Sequence, residues 1–182
     1  MEVTLKEKMT EDLKQAMRGG DTVKRSVIRQ ALAAIQSAEM ARRATLAKAA
    51  LAKQPASAGK EAELSEAAIA DIAKQSALSD GDILGVLQKE VRQRQESIEA
   101  FKQGNRPELA EKEAAEMAIL QDYLPKQAGR DEIAAEARKI IQEVGAKGPN
   151  DKGKVMPKII AALKGKADGR EINEVVSELL KG

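Results

Sequence analysis

The chain has 182 residues, with 31 Lys and Arg against 29 Asp and Glu, and it contains neither cysteine nor histidine. These two absences exclude thiol nucleophiles, disulfides, Cys/His zinc sites and a Ser-His-Asp triad. One Phe and one Tyr are the only aromatic residues, so the core must be built from aliphatic side chains, which favours helical packing.

Known catalytic motifs and targeting segments are also missing from the sequence. We find no phosphate-binding glycine motif and no nucleophile elbow, and we predict no catalytic residue, no metal and no cofactor. The first residues, MEVTLKEKM, alternate in charge without an apolar stretch, which predicts no signal peptide. No apolar run approaches the roughly 18 residues of a membrane span. We therefore expect a soluble cytoplasmic protein that makes no membrane contact.

The N-terminal residues predict two helices. Thr4 and Glu7 have the spacing of a capping box, and Gly19-Gly20 ends the first helix. Asp21 caps the second helix, which continues past Glu39. The apolar residues predicted to face inward in these two helices are Leu5, Met9, Leu13, Met17, Val27, Ile28, Ala31, Leu32 and Ile35.

Residues 41–77 form an alanine-rich insertion. Pro55 to Gly59 interrupt it, and its helix propensity is high although its apolar stripe is poor. We expect an exposed helical extension, a flexible break and a weak helix near Ala67 to Gln75, with no functional site.

A long helical hairpin follows the insertion. Ser79 and Asp82 begin its first helix, which ends at Gly104, and its second helix runs from Pro107 to Pro125. Arg94 falls on the apolar stripe, so we predict that its stem covers the core and its head pairs with Glu113 or Glu116. Arg92 is predicted to be exposed.

The last 57 residues predict a compact unit of three helices. The first helix ends at Gly145, the second begins near Asn150, and Asp168 caps the third. Pro157 predicts a kink in the second helix or a late start near Met156. The whole chain is therefore predicted to be all-α, with an N-terminal lobe at residues 1–125 and a three-helix unit at 126–182.

Positive charge is concentrated between Lys147 and Arg170. This stretch holds seven bases and two acids, a net charge of +5, whereas the whole chain has +2. Such a module suits a polyanion, and RNA is the interpretation that we favour. The candidate RNA-binding residues are Lys152, Gly153, Lys154, Lys158, Lys164, Lys166 and Arg170. A solvated charged face and a glycine needed for helix packing remain the alternative.

Five fragments together resemble the GatB/YqeY family. They are IRQALAAIQSAE from Ile28, RQRQES from Arg92, Tyr123-Leu124-Pro125, GKVM from Gly153 and KGKADG from Lys164. The resemblance covers nearly all of the chain outside the insertion and implies an all-helical, two-lobed fold. It also implies kinship with the tail of the B subunit of the tRNA-dependent amidotransferase, a module that contacts tRNA. A family label of carbon-nitrogen ligase would be inherited by association only. The resemblance implies that the amidating chemistry belongs to other domains and subunits of that enzyme.

The resemblance implies a non-catalytic accessory protein that binds the phosphate backbone of tRNA in amidation or aminoacylation. A module that docks on a synthetase or amidotransferase without touching RNA is the alternative, and an exposed apolar patch on the C-terminal unit would favour it. An enzyme would instead need a deep pocket with a strongly perturbed pKa. Arg25 and Arg29 could extend a basic track, although a plain surface is the simpler interpretation. The oligomeric state and the particular partner stay open.

Overall fold

The computed structural model describes residues 3–53 and 64–181. Within those ranges the regular secondary structure is helical, and there are no strands. The predicted all-α class is therefore confirmed. The helices are α1 (Leu5–Gly19), α2 (Thr22–Ala52), α3 (Glu66–Ser76), α4 (Asp80–Gln103), α5 (Pro107–Gln121), α6 (Arg130–Val144), α7 (Lys152–Ala162) and α8 (Gly169–Leu179).

The first two helices begin and end where their capping residues predict. Thr4 and Glu7 form a complete capping box at the start of α1. Hydrogen bonds from the backbone and the side chain of Thr4 lower the pKa of the Glu7 carboxyl. Gly20 ends α1 with a left-handed φ of 72°, a conformation that glycine adopts without steric cost. The side chain of Asp21 then accepts a hydrogen bond from Lys24 N–H and caps α2.

The insertion contributes to the packing of the first part of the chain. Helix α2 runs on to Ala52, and Ser65 caps the predicted short helix, α3. Helix α3 packs against α2 and buries Ile72. The predicted break at Pro55 to Gly59 lies outside the described residues.

The chain divides into two compact units, Met1–Val86 and Leu87–Gly182, and the division falls within α4. In the first unit the buried hydrophobic residues are Met9, Ala16, Val27, Ile28, Ala31, Ile35, Ile72 and Ile83. The prediction for Met17 is wrong, because its side chain is 54% exposed and Ala16 is buried beside it. The predicted lobe boundary after Pro125 falls inside the second unit, and the predicted lobes stay a prediction.

A short turn joins α4 to α5, and an ion pair between Arg94 Nη2 and Glu116 Oε2 links the two helices. Asn105 lies in the connecting turn with a φ of 54°. Pro107 occupies the first turn of α5, where a backbone N–H has no partner within the helix, so the helix loses no hydrogen bond to the proline. Helix α5 ends at Gln121, before the predicted limit at Pro125.

Helices α6, α7 and α8 pack against one another. Their contiguous core consists of Ile133, Ala137, Ile140, Val155, Ile159, Leu163, Ala167, Ile172, Val175, Val176 and Leu180. Burying one of the larger aliphatic side chains of this core stabilises the folded state by about 1.5–3 kcal/mol. The predicted late start at Met156 is wrong. Helix α7 begins at Lys152 and contains Pro157, which lacks the N–H that would otherwise bond to the carbonyl of Gly153.

Candidate nucleic-acid interface

The start of α7 has open space at Gly153. Gly153 lies in its first turn and is exposed, and a Cβ placed on Gly153 would find no atom within 4 Å. The interpretation of Gly153 as a glycine needed for helix packing is therefore wrong. The side chain of the preceding Asp151 makes no cap bond to the first turn of α7. Position 153 presents no side chain to an incoming group, while the Lys152 N–H is already bonded to Pro149 O in the 3-10 turn Pro149–Asp151 that leads into the helix.

Lys154 and Lys158 lie one turn apart on α7, and each forms an ion pair with an acid. Lys154 Nζ lies 2.7 Å from Asp151 Oδ1, and Lys158 Nζ lies 2.7 Å from Glu143 Oε1 on α6. The Lys154 hydrogen bond, together with one from Lys147 N–H, lowers the pKa of the Asp151 carboxyl. The Lys158 hydrogen bond lowers the pKa of the Glu143 carboxyl in the same way.

Both lysines stay accessible in spite of these pairs. The Lys154 side chain is 70% exposed and that of Lys158 is 50% exposed. Water screens exposed ion pairs of this kind, so each contributes little to stability. Exchanging either carboxylate for a phosphate therefore carries a small cost.

Lys152 occupies a different environment from the other candidate lysines. Its side chain is half-buried, and Nζ donates a 2.7 Å hydrogen bond to Ser177 Oγ on α8. This bond joins α7 to α8. Neutralising Lys152 would therefore change helix packing as well as surface charge.

The turn between α7 and α8 carries two more candidates, Lys164 and Lys166, and both side chains are exposed. Three hydrogen bonds from other parts of the second unit hold the backbone of this turn. Ala128 N–H donates to Lys166 O at 2.7 Å, Gln127 Nε2 to Gly165 O at 3.1 Å, and Gln88 Nε2 to Ala167 O at 3.1 Å. Gly165 is buried and has a φ of 80°, a left-handed conformation that favours glycine. The two lysines are thus displayed from a fixed backbone.

Asp168 connects the same turn to α4. Its Oδ1 accepts the Arg170 N–H at 2.7 Å, which confirms the predicted cap of α8. Its Oδ2 accepts a 3.1 Å hydrogen bond from Arg92 Nη1. The prediction that Arg92 is exposed is therefore wrong: its side chain is 33% exposed, and it anchors α4 to the α8 cap.

Arg170 and Arg94 both form ion pairs with glutamates. Arg170 is exposed and Nη1 lies 3.1 Å from Glu96 Oε1 on α4. Arg94 is buried, with Nη1 3.1 Å from Glu90 Oε2 and Nη2 3.6 Å from Glu116 Oε2. The predicted pairing of Arg94 with Glu116 across the hairpin is confirmed.

The folded chain lowers the local excess of positive charge that the sequence shows. Within Lys147 to Arg170 the count gives +5, but Glu143 and Glu96 come from outside this stretch and pair with Lys158 and Arg170. The structure brings Lys152, Gly153, Lys154 and Lys158 together on α7, and it places Lys164, Lys166 and Arg170 on the adjoining turn and the start of α8. Arg25 and Arg29 are exposed on α2 in the first unit, so the predicted extension of the track stays a prediction.

A cavity of about 220 Å³ in the second unit was missed by reasoning from the sequence. It lies beside the α7–α8 turn, and Gln88, Arg92, Met117 and Gln127 are among its lining residues. These residues come from α4, α5 and the segment before α6, and of the four only Arg92 lies in one of the family-like fragments, RQRQES. No local signal indicates that they line a cavity, since only the packing of distant segments brings them together.

Other surface features bear on the alternatives. Among the described residues of the second unit, Ile160 is the one large hydrophobic side chain that is strongly exposed. No group of three or more Asp and Glu within residues 3–53 and 64–181 is arranged to hold a metal ion. In the part of the chain that the structure describes, none of the helices is long and apolar enough to cross a membrane.

Comparison with known families finds one that matches most of the chain. Residues 60–180, about two thirds of the chain, match the family described as YqeY-like protein. The chain belongs to the YqeY-like family. The match begins in the insertion and covers α3 to α8, so the basic segment and the cavity of this YqeY-like protein lie within the matched region.

Two curated relatives are fungal. The chain is 28% identical over 108 residues to "Altered inheritance of mitochondria protein 41, mitochondrial" of Pyrenophora tritici-repentis, covering 56% of this chain and 58% of that protein. It is 36% identical over 59 residues to an uncharacterised protein of Schizosaccharomyces pombe, covering 32% of this chain and 48% of that protein. The chain thus spans about half the length of these two relatives.

Proposed function

We propose that this YqeY-like protein is a non-catalytic accessory protein that binds the phosphate backbone of structured RNA, with tRNA as the RNA and tRNA-dependent amidation or aminoacylation as its setting. The observation that carries the proposal is the α7–α8 turn. Three hydrogen bonds fix its backbone, and the side chains of Lys164 and Lys166 are exposed. Because the backbone is already fixed, meeting a phosphate would cost only the rotamer freedom of the lysine side chains, which favours binding.

The start of α7 supplies the second part of the interface. A helix N-terminus attracts anions, and Gly153 places no side chain in the first turn of α7. Lys154 and Lys158 follow on one flank at a spacing of four residues, and each can exchange its carboxylate for a phosphate.

Backbone contacts suit this surface better than stacking on open aromatic platforms. The chain has one Phe and one Tyr, and Tyr123 is buried, so the broad aromatic surfaces of single-strand binders are not available. Structured RNA is recognised largely through its shape and its phosphates. Affinity should therefore fall steeply as salt is added, because phosphate contacts release counterions.

The surface of the second unit favours RNA over a docking protein as the partner. A protein-docking face would present a contiguous apolar patch, whereas Ile160 is the single strongly exposed large hydrophobic residue among residues 87–181. We retain the predicted cytoplasmic location as part of the proposal, although one relative carries the word mitochondrial in its name.

The first experiment measures binding of the purified chain to total tRNA over a salt series, with random duplex RNA as competitor. Neutralising both helix lysines (K154Q/K158Q) should weaken binding and reduce the magnitude of the slope of log affinity against log salt by about 1.5. Each lost phosphate contact removes roughly 0.7–0.9 from that slope, and two contacts are lost. The matched control, K112Q/K139Q, removes two exposed lysines of the same unit that lie outside the basic stretch, and it should leave the slope unchanged.

Two results would reject the proposal. Absence of binding at low salt would exclude direct RNA recognition and direct the search to protein partners. Equal losses in K154Q/K158Q and K112Q/K139Q would mean that binding follows net charge alone and that α7 has no specific role.

A further inference from the structure

The cavity beside the α7–α8 turn combines an apolar interior with several polar groups. Val91, Met117 and Leu124 contribute its aliphatic and thioether surface. Its polar lining includes the amides of Gln95 and Gln121. Its volume of about 220 Å³ lies below the roughly 300–1,000 Å³ of pockets for drug-sized ligands, so it suits a single ring system.

The charges in the cavity compensate each other. Arg92 and Asp168 both line it, and they form a 3.1 Å ion pair with one another. Arg92 also has a buried Nε–H for which the described residues supply no hydrogen-bond acceptor, the nearby Glu96 Oε1 lying 3.8 Å away. A site with compensated charge and amide groups favours a neutral ligand that has both donors and acceptors over a free phosphate or carboxylate.

The cavity is joined directly to the proposed RNA-binding turn. Gln88 and Gln127 line it, and the same two amides donate the hydrogen bonds that hold Ala167 O and Gly165 O. Lys164 and Lys166 therefore lie on a turn whose backbone is held by two of the amides that line the cavity, and Asp168 at the end of that turn lines it as well. A ligand that enters it while attached to a phosphodiester backbone would bring its phosphates near these lysines.

We propose that this cavity receives one unstacked nucleobase of the RNA whose backbone the basic turn contacts. A nucleobase is flat, neutral and about the size of one ring system, and its edge carries mixed donors and acceptors. Glutamine amides can pair with the N6 and N7 atoms of adenine, and apolar side chains can cover the ring faces. This inference rests on the proposed function and adds a base-reading site to it.

The test uses three RNA hairpins of equal length and charge: one with a single bulged adenine, one with an abasic residue at the bulge, and a fully paired one with the same number of phosphates. The wild-type chain should bind the adenine bulge about tenfold more tightly than the abasic bulge at the same salt concentration. The double variant Q95A/Q121A should abolish that difference while leaving the salt slope unchanged. It spares Gln88 and Gln127, which hold the turn.

A matched control and two contrary outcomes complete the test. The variant Q103A/Q142A removes two exposed glutamines of the same unit that do not line the cavity, and it should preserve the tenfold difference. Equal binding of the adenine and abasic hairpins by the wild-type chain would overturn the base site and leave phosphate binding intact. Failure of all three hairpins and of tRNA to bind at low salt would overturn the proposed function, and the base site with it.

Discussion

Replacing Gly153 by Ala separates the stability of α7 from its proposed contact with phosphate. Gly153 has an ordinary helical φ rather than a left-handed one, and its added Cβ would meet no atom within 4 Å. Alanine loses less backbone entropy than glycine on folding, so the variant should gain about 0.5–1 kcal/mol. In a chain of this size that gain corresponds to a rise in melting temperature of about 1–4 °C.

The assay is urea or thermal unfolding followed by far-UV circular dichroism, combined with tRNA binding at fixed salt. The same methyl group that stabilises α7 would stand in the path of a phosphate approaching the first N–H groups, so G153A should bind tRNA more weakly than the wild-type chain. Gly85→Ala is the control for an exposed helical glycine with equally open space outside the basic stretch, and Gly145→Ala, with its φ of 66°, should lose stability instead.

Two results would refute this reasoning. A loss of stability in G153A would mean that the Cβ meets a group in the folded chain. Unchanged tRNA binding in a more stable G153A would mean that no phosphate approaches this turn, and the interface would then be confined to the lysine side chains.

The remaining predictions concern the buried pair, the turn and the pH response. Arg94→Met should cost about 3 kcal/mol in urea unfolding, because the Glu116 carboxylate loses its buried partner, and R94M/E116L should lose less than R94M alone. Gly165→Ala should cost about 1–2 kcal/mol in urea unfolding with an unchanged m-value, because its φ is 80°. Because the pKa of Asp151 is lowered in the folded chain, its contribution to stability is present above its ordinary value of 3.8 and is lost as pH falls through the lower, folded value. In a carboxyl-carbon NMR titration, K154M should move the pKa of Asp151 back toward 3.8, and bound tRNA should do the same if Lys154 leaves it for a phosphate.

Local chemistry in the sequence determined most of the helices. The box of Thr4 and Glu7, the caps at Asp21 and Asp168 and the stop at Gly145 act within a few residues of the backbone groups that they satisfy. The apolar period of α6, α7 and α8 likewise predicted their shared core, because one helix face repeats every 3.6 residues. The same periodicity predicted wrongly that Met17 is buried. It marks one face of a helix, but it does not show how far along the helix the neighbouring chain covers that face.

Only the tertiary structure decided the environment of the charged and polar groups. It pairs Lys158 with Glu143 and Arg170 with Glu96, and it turns Arg92 from an expected surface residue into the partner of Asp168. The α7–α8 turn is fixed by bonds from α4 and from the segment before α6, and the cavity arises at the same place. Ion pairs and cavities depend on which distant segments meet, and the sequence carries no short-range signal of that. The sequence by itself therefore determined the helices, their caps and the location of the basic segment, whereas the packing of distant helices decided which cations are accessible and what shape of ligand the surface can accept.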